Sequence, residues 1–457
     1  MHPTEELPSL RATLRLGVSQ LSHKLLLATL YDVKFYPYNP PGVDPVFAIC
    51  GGPCVWICRP VYSKDTSIEI LRVFQDEDVQ NLNSLAWSRD FHTGDPLVLA
   101  SSERPKINVL NVTTGQLVRT IIGHGAAIND LAISPQSPYV LASASNDHTV
   151  RIWNLDPALE KFSCAAICAG EGHTDGILAC AWHRSGRYLL SGGHDAIVNM
   201  WVIPDIPDEN SGTDHVTTIH YPHFTTNEVH SDYVDCLQFF GDLILSRSAK
   251  ESKIYLWRIR NFSPDLYTTH ASIPSPTAPE IGHSSFTRSA FGSGFERLLT
   301  FETPYADLFY MRFSLFHMPH KRPILCAGNE RSKVFFWDIQ RLEEGPPEAS
   351  ETGRWAGHRK KTMLQGEFDY LDDDTNASTT DANAAESVET TVGKGKDVDP
   401  EKKYGVDDPF RELQAHKFQV VPKVTFCVRQ VAWSPGGEWC VVCGDNGMVA
   451  VFSRWMN

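Results

Sequence analysis

Gly123-His124, Asp147 and Trp153 are followed by Gly172-His173, Asp195 and Trp201. Asp and Trp stand six residues apart in both copies, His and Trp 29 and then 28 apart (153−124 and 201−173), and the two tryptophans 48 apart (201−153). A histidine, the aspartate of a tight turn, a strand serine and an indole N–H can satisfy one another as donors and acceptors, whereas any of them buried alone is unfavourable. The spacing therefore predicts two closed relays: His124, Asp147 and Trp153 with Ser143 or Ser145, and His173, Asp195 and Trp201 with Ser191. Read this way they are scaffold and not a catalytic His/Asp/Ser set.

A repeat of this length, bounded by Gly-His and by Trp with Asp or Asn, resembles a WD40 β-propeller blade. Strand patterns extend the count both ways. Residues 30–58 read as a first degenerate blade and 82–112 as a second, with Leu110 in the Trp position. A fifth ends at Trp257, a sixth runs through 310–313, 324–327 and 334–338, and a seventh spans 428–452 with Phe452 in the Trp position. The expected fold is all-β, a seven-bladed WD40 propeller over residues 23–457 whose closure protects its sheet edges, after an N-terminal tail at 1–22. Residues 360–412, rich in Asp, Thr and Ala, read as a disordered acidic low-complexity insertion in the last blade. A tolerated solvent loop is one reading of it and an acidic arm for a basic partner the other.

The net charge is −14, and between Glu367 and Asp408 13 acidic and 4 lysine residues supply −9 of it, leaving −5 elsewhere. That balance argues against general nucleic-acid binding and against sequence-specific contact with DNA. The sequence holds no run of 18 apolar residues and no basic-then-apolar start, so neither a membrane span nor a secretion signal is expected. Eleven cysteines scattered among apolar patterns read as buried reduced thiols of an intracellular protein. Cys440 and Cys443 lie three apart in a strand pattern and face opposite ways, which speaks against a metal site. With no phosphate loop, nucleophile elbow or clustered metal ligands in the sequence, neither enzymatic activity nor a cofactor is expected.

The text between the repeats is more specific. Residues 227–237 (Asn-Glu-Val-His-Ser-Asp-Tyr-Val-Asp-Cys-Leu), 241–246 (Gly-Asp-Leu-Ile-Leu-Ser), 309–314 (Phe-Tyr-Met-Arg-Phe-Ser), 123–130 and 219–226 are not generic repeat sequence. In order, and in the right blades, they resemble the embryonic ectoderm development (EED, or extra sex combs) family, the propeller subunits of Polycomb repressive complex 2. The resemblance implies a non-enzymatic chromatin reader and scaffold in the nucleus. Its members hold trimethyl-lysine of the histone H3 tail, lysine 27 favoured, in an aromatic cage at one channel mouth. They grip a helix of the enhancer-of-zeste SET-domain methyltransferase on the opposite face, share the complex with a Suz-type zinc-finger subunit, and stimulate the enzyme allosterically for gene silencing.

Matched position by position, the resemblance puts Phe35, Phe309 and Tyr310 in the cage, Phe309 replacing the usual Trp, with Arg312 and Arg429 as supports beside the rings. The fourth position departs, because the family's Tyr falls on Asn83. Either a neighbour such as Tyr36 or Tyr38 substitutes, or the cage is weaker or differently selective. A quaternary ammonium keeps its charge without an N–H to donate, so π faces suit it, at roughly 0.5–2 kcal/mol per favourable contact. Ordinary strand packing is the competing reading for the aromatics, and plain surface cations for the arginines. For the whole chain, the alternative is a WD40 substrate receptor of a ubiquitin ligase. The Trp-Asp-x-Arg signature of such receptors is absent, since Trp153 is followed by Asn-Leu-Asp and Trp337 by Asp-Ile-Gln.

Overall fold

The computed structural model describes residues 7–19, 25–26, 28–40, 42–62, 68–267, 270–276, 286–292, 294–344 and 406–454. Short alternating strands separated by polar turns build seven sheets of four or five strands around a channel, antiparallel except for a parallel outer strand in two of them, with one further two-stranded sheet at Val18–Ser19 and Leu25–Leu26 among the described residues. The innermost strands are Leu30–Phe35, Leu82–Arg89, Ile128–Ile133, Ile177–Trp182, Val234–Phe240, Ser314–Phe316 and Val428–Trp433. Each leans on the next, and the seventh returns to the first. Tryptophans of the third strands fill the seams between blades: Trp153 packs on Leu99 and Ile107 of the preceding blade, and Trp257 on Tyr188 and Phe224. Large rings at these seams supply much of the apolar burial that holds neighbouring blades together.

The predicted relays form inside the blades. His124 Nδ1 lies 2.8 Å from Asp147 and its Nε2 2.7 Å from Ser143 Oγ, which also accepts the Trp153 indole N–H at 2.7 Å. His173, Asp195, Ser191 and Trp201 repeat the arrangement. The fifth blade builds it with a glutamate, His230 bridging Glu251 and Ser246 with Trp257 behind. All eleven cysteines are free, and all but Cys164 are buried.

Three expectations are corrected. Residues 1–22 are not simply a tail, because Ser9–Arg15 forms the outermost strand of the seventh blade, antiparallel to Met448–Ser453. Leu10 and Leu14 find apolar partners there, and the two chain ends close the ring in one sheet. The acidic insertion belongs to the sixth blade and not the last: it departs after strand Lys333–Asp338 and helix Ile339–Glu344 and returns before Lys417–Val420, which pairs with Lys333–Asp338. Residues 345–405 lie outside the described residues, but the end of the 360–412 stretch belongs to the fold, since Glu412–Leu413 pairs with Phe295–Glu302 and Pro409 O accepts a hydrogen bond from Thr300 Oγ1 at 2.7 Å. Finally, 310–313 is irregular, and the inner strand of blade six begins only at Ser314.

Candidate functional site

Six of the seven innermost strands break register at their second residue. The extra residues are Tyr31, Asn83, Asn129, Leu178, Asp235 and Arg429. A bulge takes one residue out of the ladder, bends the strand and re-aims a side chain. Repeated around the ring, it leaves carbonyls and side chains gathered at one mouth of the channel. The sixth blade answers with its irregular segment at 309–312.

Tyr310 and Arg312 collect these freed groups. The Tyr310 hydroxyl lies 2.8 Å from both Asn83 O and Asn129 O, sharing its proton between them. Arg312 donates to Leu178 O at 2.9 Å and to Asp130 Oδ1 at 2.8 Å. Asp235 accepts the Tyr310 backbone N–H at 2.7 Å. Arg247 pairs with Asp235 at 2.6 Å and donates to Ala306 O and Leu308 O, clamping the approach to Phe309. Arg429 donates to Phe309 O at 2.8 Å and is itself held by Asp445. Tyr310 sits at φ +62°, a left-handed conformation that an aromatic L-residue adopts only when its surroundings fix it.

The result is a small aromatic group. Tyr310, 5% exposed, is its floor, and Phe309, 40% exposed, is its outer wall, with ring centroids 5.5 Å apart. Tyr31 also meets Tyr310, edge-to-face at 5.6 Å. The Arg312 guanidinium stands 4.7 Å from the Tyr310 centroid. Phe309 also touches His194 and Tyr233, which stack on each other at 4.6 Å.

Phe35 does not belong to this group. The innermost strands run in one direction, so their first residues share one mouth and their last residues the other. Phe35 ends its strand four residues after Tyr31, roughly 13 Å further along, and is buried against Phe47 at 5.2 Å. Tyr31 occupies the place expected for Phe35. Tyr36 and Tyr38 do not substitute for Asn83 either, because they pack on each other and Tyr36 packs on Trp87, beyond the far end of the same strand. Of the two arginines, Arg312 is a buried cation lying on the ring, whereas Arg429 holds the Phe309 backbone and stacks on no ring among the described residues.

Sequence reading missed Tyr31, Asn129, Asp235 and Arg247. The usable signal was an offset: each bulged residue stands second in its innermost strand, as Asn83 does.

Beneath the aromatic floor lies a neutral charged plug of Asp32, Asp130, Lys34 and Arg312. Burial pushes the Asp130 carboxyl up, but the charges of Arg312 and Lys34 outweigh it and hold the group below its usual range. Burial raises the Tyr310 hydroxyl well above its usual value, so it remains a donor. At the opposite mouth opens a cavity of about 750 Å³ lined by Phe35, Tyr38, Trp87, Trp182, Phe313 and Trp433 among others. Among the described residues no cluster of three or more metal-ligating side chains occurs.

The family model of the WD domain, G-beta repeat, matches residues 115–154, 164–202 and 408–453. Polycomb protein EED of Chaetomium thermophilum is 34% identical over 522 residues, covering 94% of this chain and 91% of that protein. Polycomb protein esc of Drosophila melanogaster is 28% identical over 328 residues, 68% of this chain and 70% of its own length. Among solved structures, apo ctPRC2 in an autoinhibited state contains a chain that matches at TM-score 0.82 and 34% identity over 99% of both chains. A ctPRC2 complex with H3K27me3 and H3K27M matches at TM-score 0.81 and 33% identity, again over 99% of both.

Proposed function

This chain belongs to the EED (extra sex combs) family of Polycomb proteins, non-catalytic WD40 subunits of Polycomb repressive complex 2, and from that premise we propose that its Tyr31, Phe309 and Tyr310 mouth binds a methylated lysine of the histone H3 tail. One observation carries the reading: Tyr310 is fixed in a strained conformation with Tyr31 and Phe309 against it. A methylammonium set on these rings gains cation–π attraction. The charge of Arg312 beside Tyr310 is already paired with Asp130, which offsets its repulsion of a second cation at the mouth. Lysine 27 is the favoured residue, in keeping with the related complex described with H3K27me3. The opposite, aromatic-rich mouth takes a helix of the SET-domain methyltransferase, with a Suz-type subunit in the same nuclear assembly. Engaging the methylated tail then biases the enzyme toward its active arrangement, which requires tighter tail binding in that state.

The test is a reconstituted complex assayed with and without methylated H3 peptide. Tyr31→Ala and Phe309→Ala are expected to abolish stimulation while assembly and basal methyltransferase activity persist. Stimulation unchanged in both variants would overturn the proposal.

A further inference from the structure

The fourth side of this mouth is not aromatic. Asn83 is the extra residue of the bulge between Leu82 and Ser84, and the Tyr310 hydroxyl at 2.8 Å from its carbonyl ties it to the floor of the aromatic group. Its side chain is half-buried and makes no hydrogen bond among the described residues, and Oδ1 is enclosed without a partner. No group among the described residues competes for this amide, which is left to turn and accept from a ligand able to donate to it. A trimethylated lysine cannot. A dimethylated lysine, protonated at neutral pH, keeps one N–H and still offers two methyl groups to the rings.

We propose that Asn83 makes this a site for dimethyl-lysine in preference to trimethyl-lysine. Its amide oxygen accepts the single N–H, while Tyr31, Phe309 and Tyr310 take the methyl groups. Rotation about the Cβ–Cγ bond exchanges Oδ1 with Nδ2 and turns the oxygen toward the ligand, and the amide has no hydrogen bond that opposes the turn. Monomethyl-lysine brings a second N–H but loses a methyl group to the rings, so affinity falls again. The inference rests on the methyl-lysine reading of the same mouth.

The test is calorimetric titration of the full chain with H3-tail peptides bearing unmodified, mono-, di- or trimethylated lysine 27. A hydrogen bond from a charged donor corresponds to about tenfold in affinity, so the dimethyl peptide is expected to bind several-fold to tenfold more tightly than the trimethyl one. Asn83→Tyr replaces the acceptor with a ring and reverses the order. Asn83→Ala brings the two peptides within about twofold of each other, both still tighter than unmodified peptide. If methylated peptides bind but the trimethyl form wins, or the ratio is the same in Asn83→Ala, this inference fails and the broader reading stands. If no methylated peptide binds better than the unmodified one, both fail.

Discussion

Replacing Arg312 by Met keeps an apolar stem of similar reach and removes the cation that joins the aromatic floor to the charged plug. Arg312 is 6% exposed, and its loss deprives Asp130 of a 2.8 Å partner and Leu178 O of a donor at 2.9 Å. Breaking a buried ion pair from one side costs about 3–5 kcal/mol. Here the lower end applies, because Asp130 keeps the N–H groups of Cys180 and Leu131, and Lys34 remains at 3.9 Å. The expected loss near neutral pH is therefore about 3 kcal/mol.

The loss also depends on pH. In the wild type the Asp130 carboxyl sits below its unfolded value, so its contribution is complete above about pH 4 and disappears only as pH falls through the folded value. Without Arg312, burial is expected to outweigh the weaker pull of Lys34 at 3.9 Å, so that the carboxyl titrates above its unfolded value. The variant then takes up a proton where the wild type is still charged, and the gap between them narrows as pH falls. Urea unfolding followed by tryptophan fluorescence at about pH 7.5 and pH 5 reads both effects, and adding Asp130→Asn is expected to recover most of the loss. A loss below about 1 kcal/mol at pH 7.5, a gap independent of pH, or no recovery in the double variant would refute this account of the plug.

Other consequences can be measured separately. Deleting residues 1–16 removes the strand whose six residues pair with Met448–Ser453; with backbone hydrogen bonds contributing about 1 kcal/mol net each, partly offset by chain entropy, the loss is on the order of 3 kcal/mol. An unchanged urea midpoint would contradict closure by the N-terminal strand. Glu251 is raised by burial but lowered further by its hydrogen bond to His230 and that residue's charge, and it titrates at about 2. Its contribution is therefore complete above about pH 4.3 and lost as pH falls toward 2, so Glu251→Gln is expected to lack that part of the acid-induced loss seen by circular dichroism. Arg429→Ala frees the Phe309 backbone, and calorimetry is expected to show methylated-peptide affinity about three- to tenfold weaker, corresponding to about 0.7–1.4 kcal/mol, with the urea midpoint nearly unmoved.

What the sequence discloses here depends on how near the interacting residues lie along the chain. The His–Asp–Ser–Trp relays close within one blade, so covalent spacing records them, and Ser143 over Ser145 was the only detail left to the structure. Closure by Ser9–Arg15 joins residues at opposite ends of the chain, and no local pattern reports such a partner. Tyr31 and Phe35 sit on one six-residue strand, and the resemblance puts Phe35 in the cage, whereas strand direction sets Tyr31 beside Tyr310 and Phe35 at the other end. The sequence leaves Arg247 unmarked and allows Arg312 to be read as a plain surface cation, because burial of a charge depends on the carboxylate that three-dimensional packing brings to it. The blade that takes the insertion is not legible in sequence because Lys417–Val420 is a four-residue edge strand whose apolar residues, Phe418 and Val420, are exposed, and so short an alternation does not say which sheet it joins.

The most direct measurement is titration of the full chain with H3 peptide methylated at lysine 27, comparing the wild type with Tyr31→Ala and Phe35→Leu. Tight binding of methylated over unmodified peptide, lost by roughly 3- to 30-fold in Tyr31→Ala and retained in Phe35→Leu, is the predicted result, since only Tyr31 offers its ring to the ligand. Loss in Phe35→Leu with Tyr31→Ala unaffected would put the site at the other mouth and contradict the account.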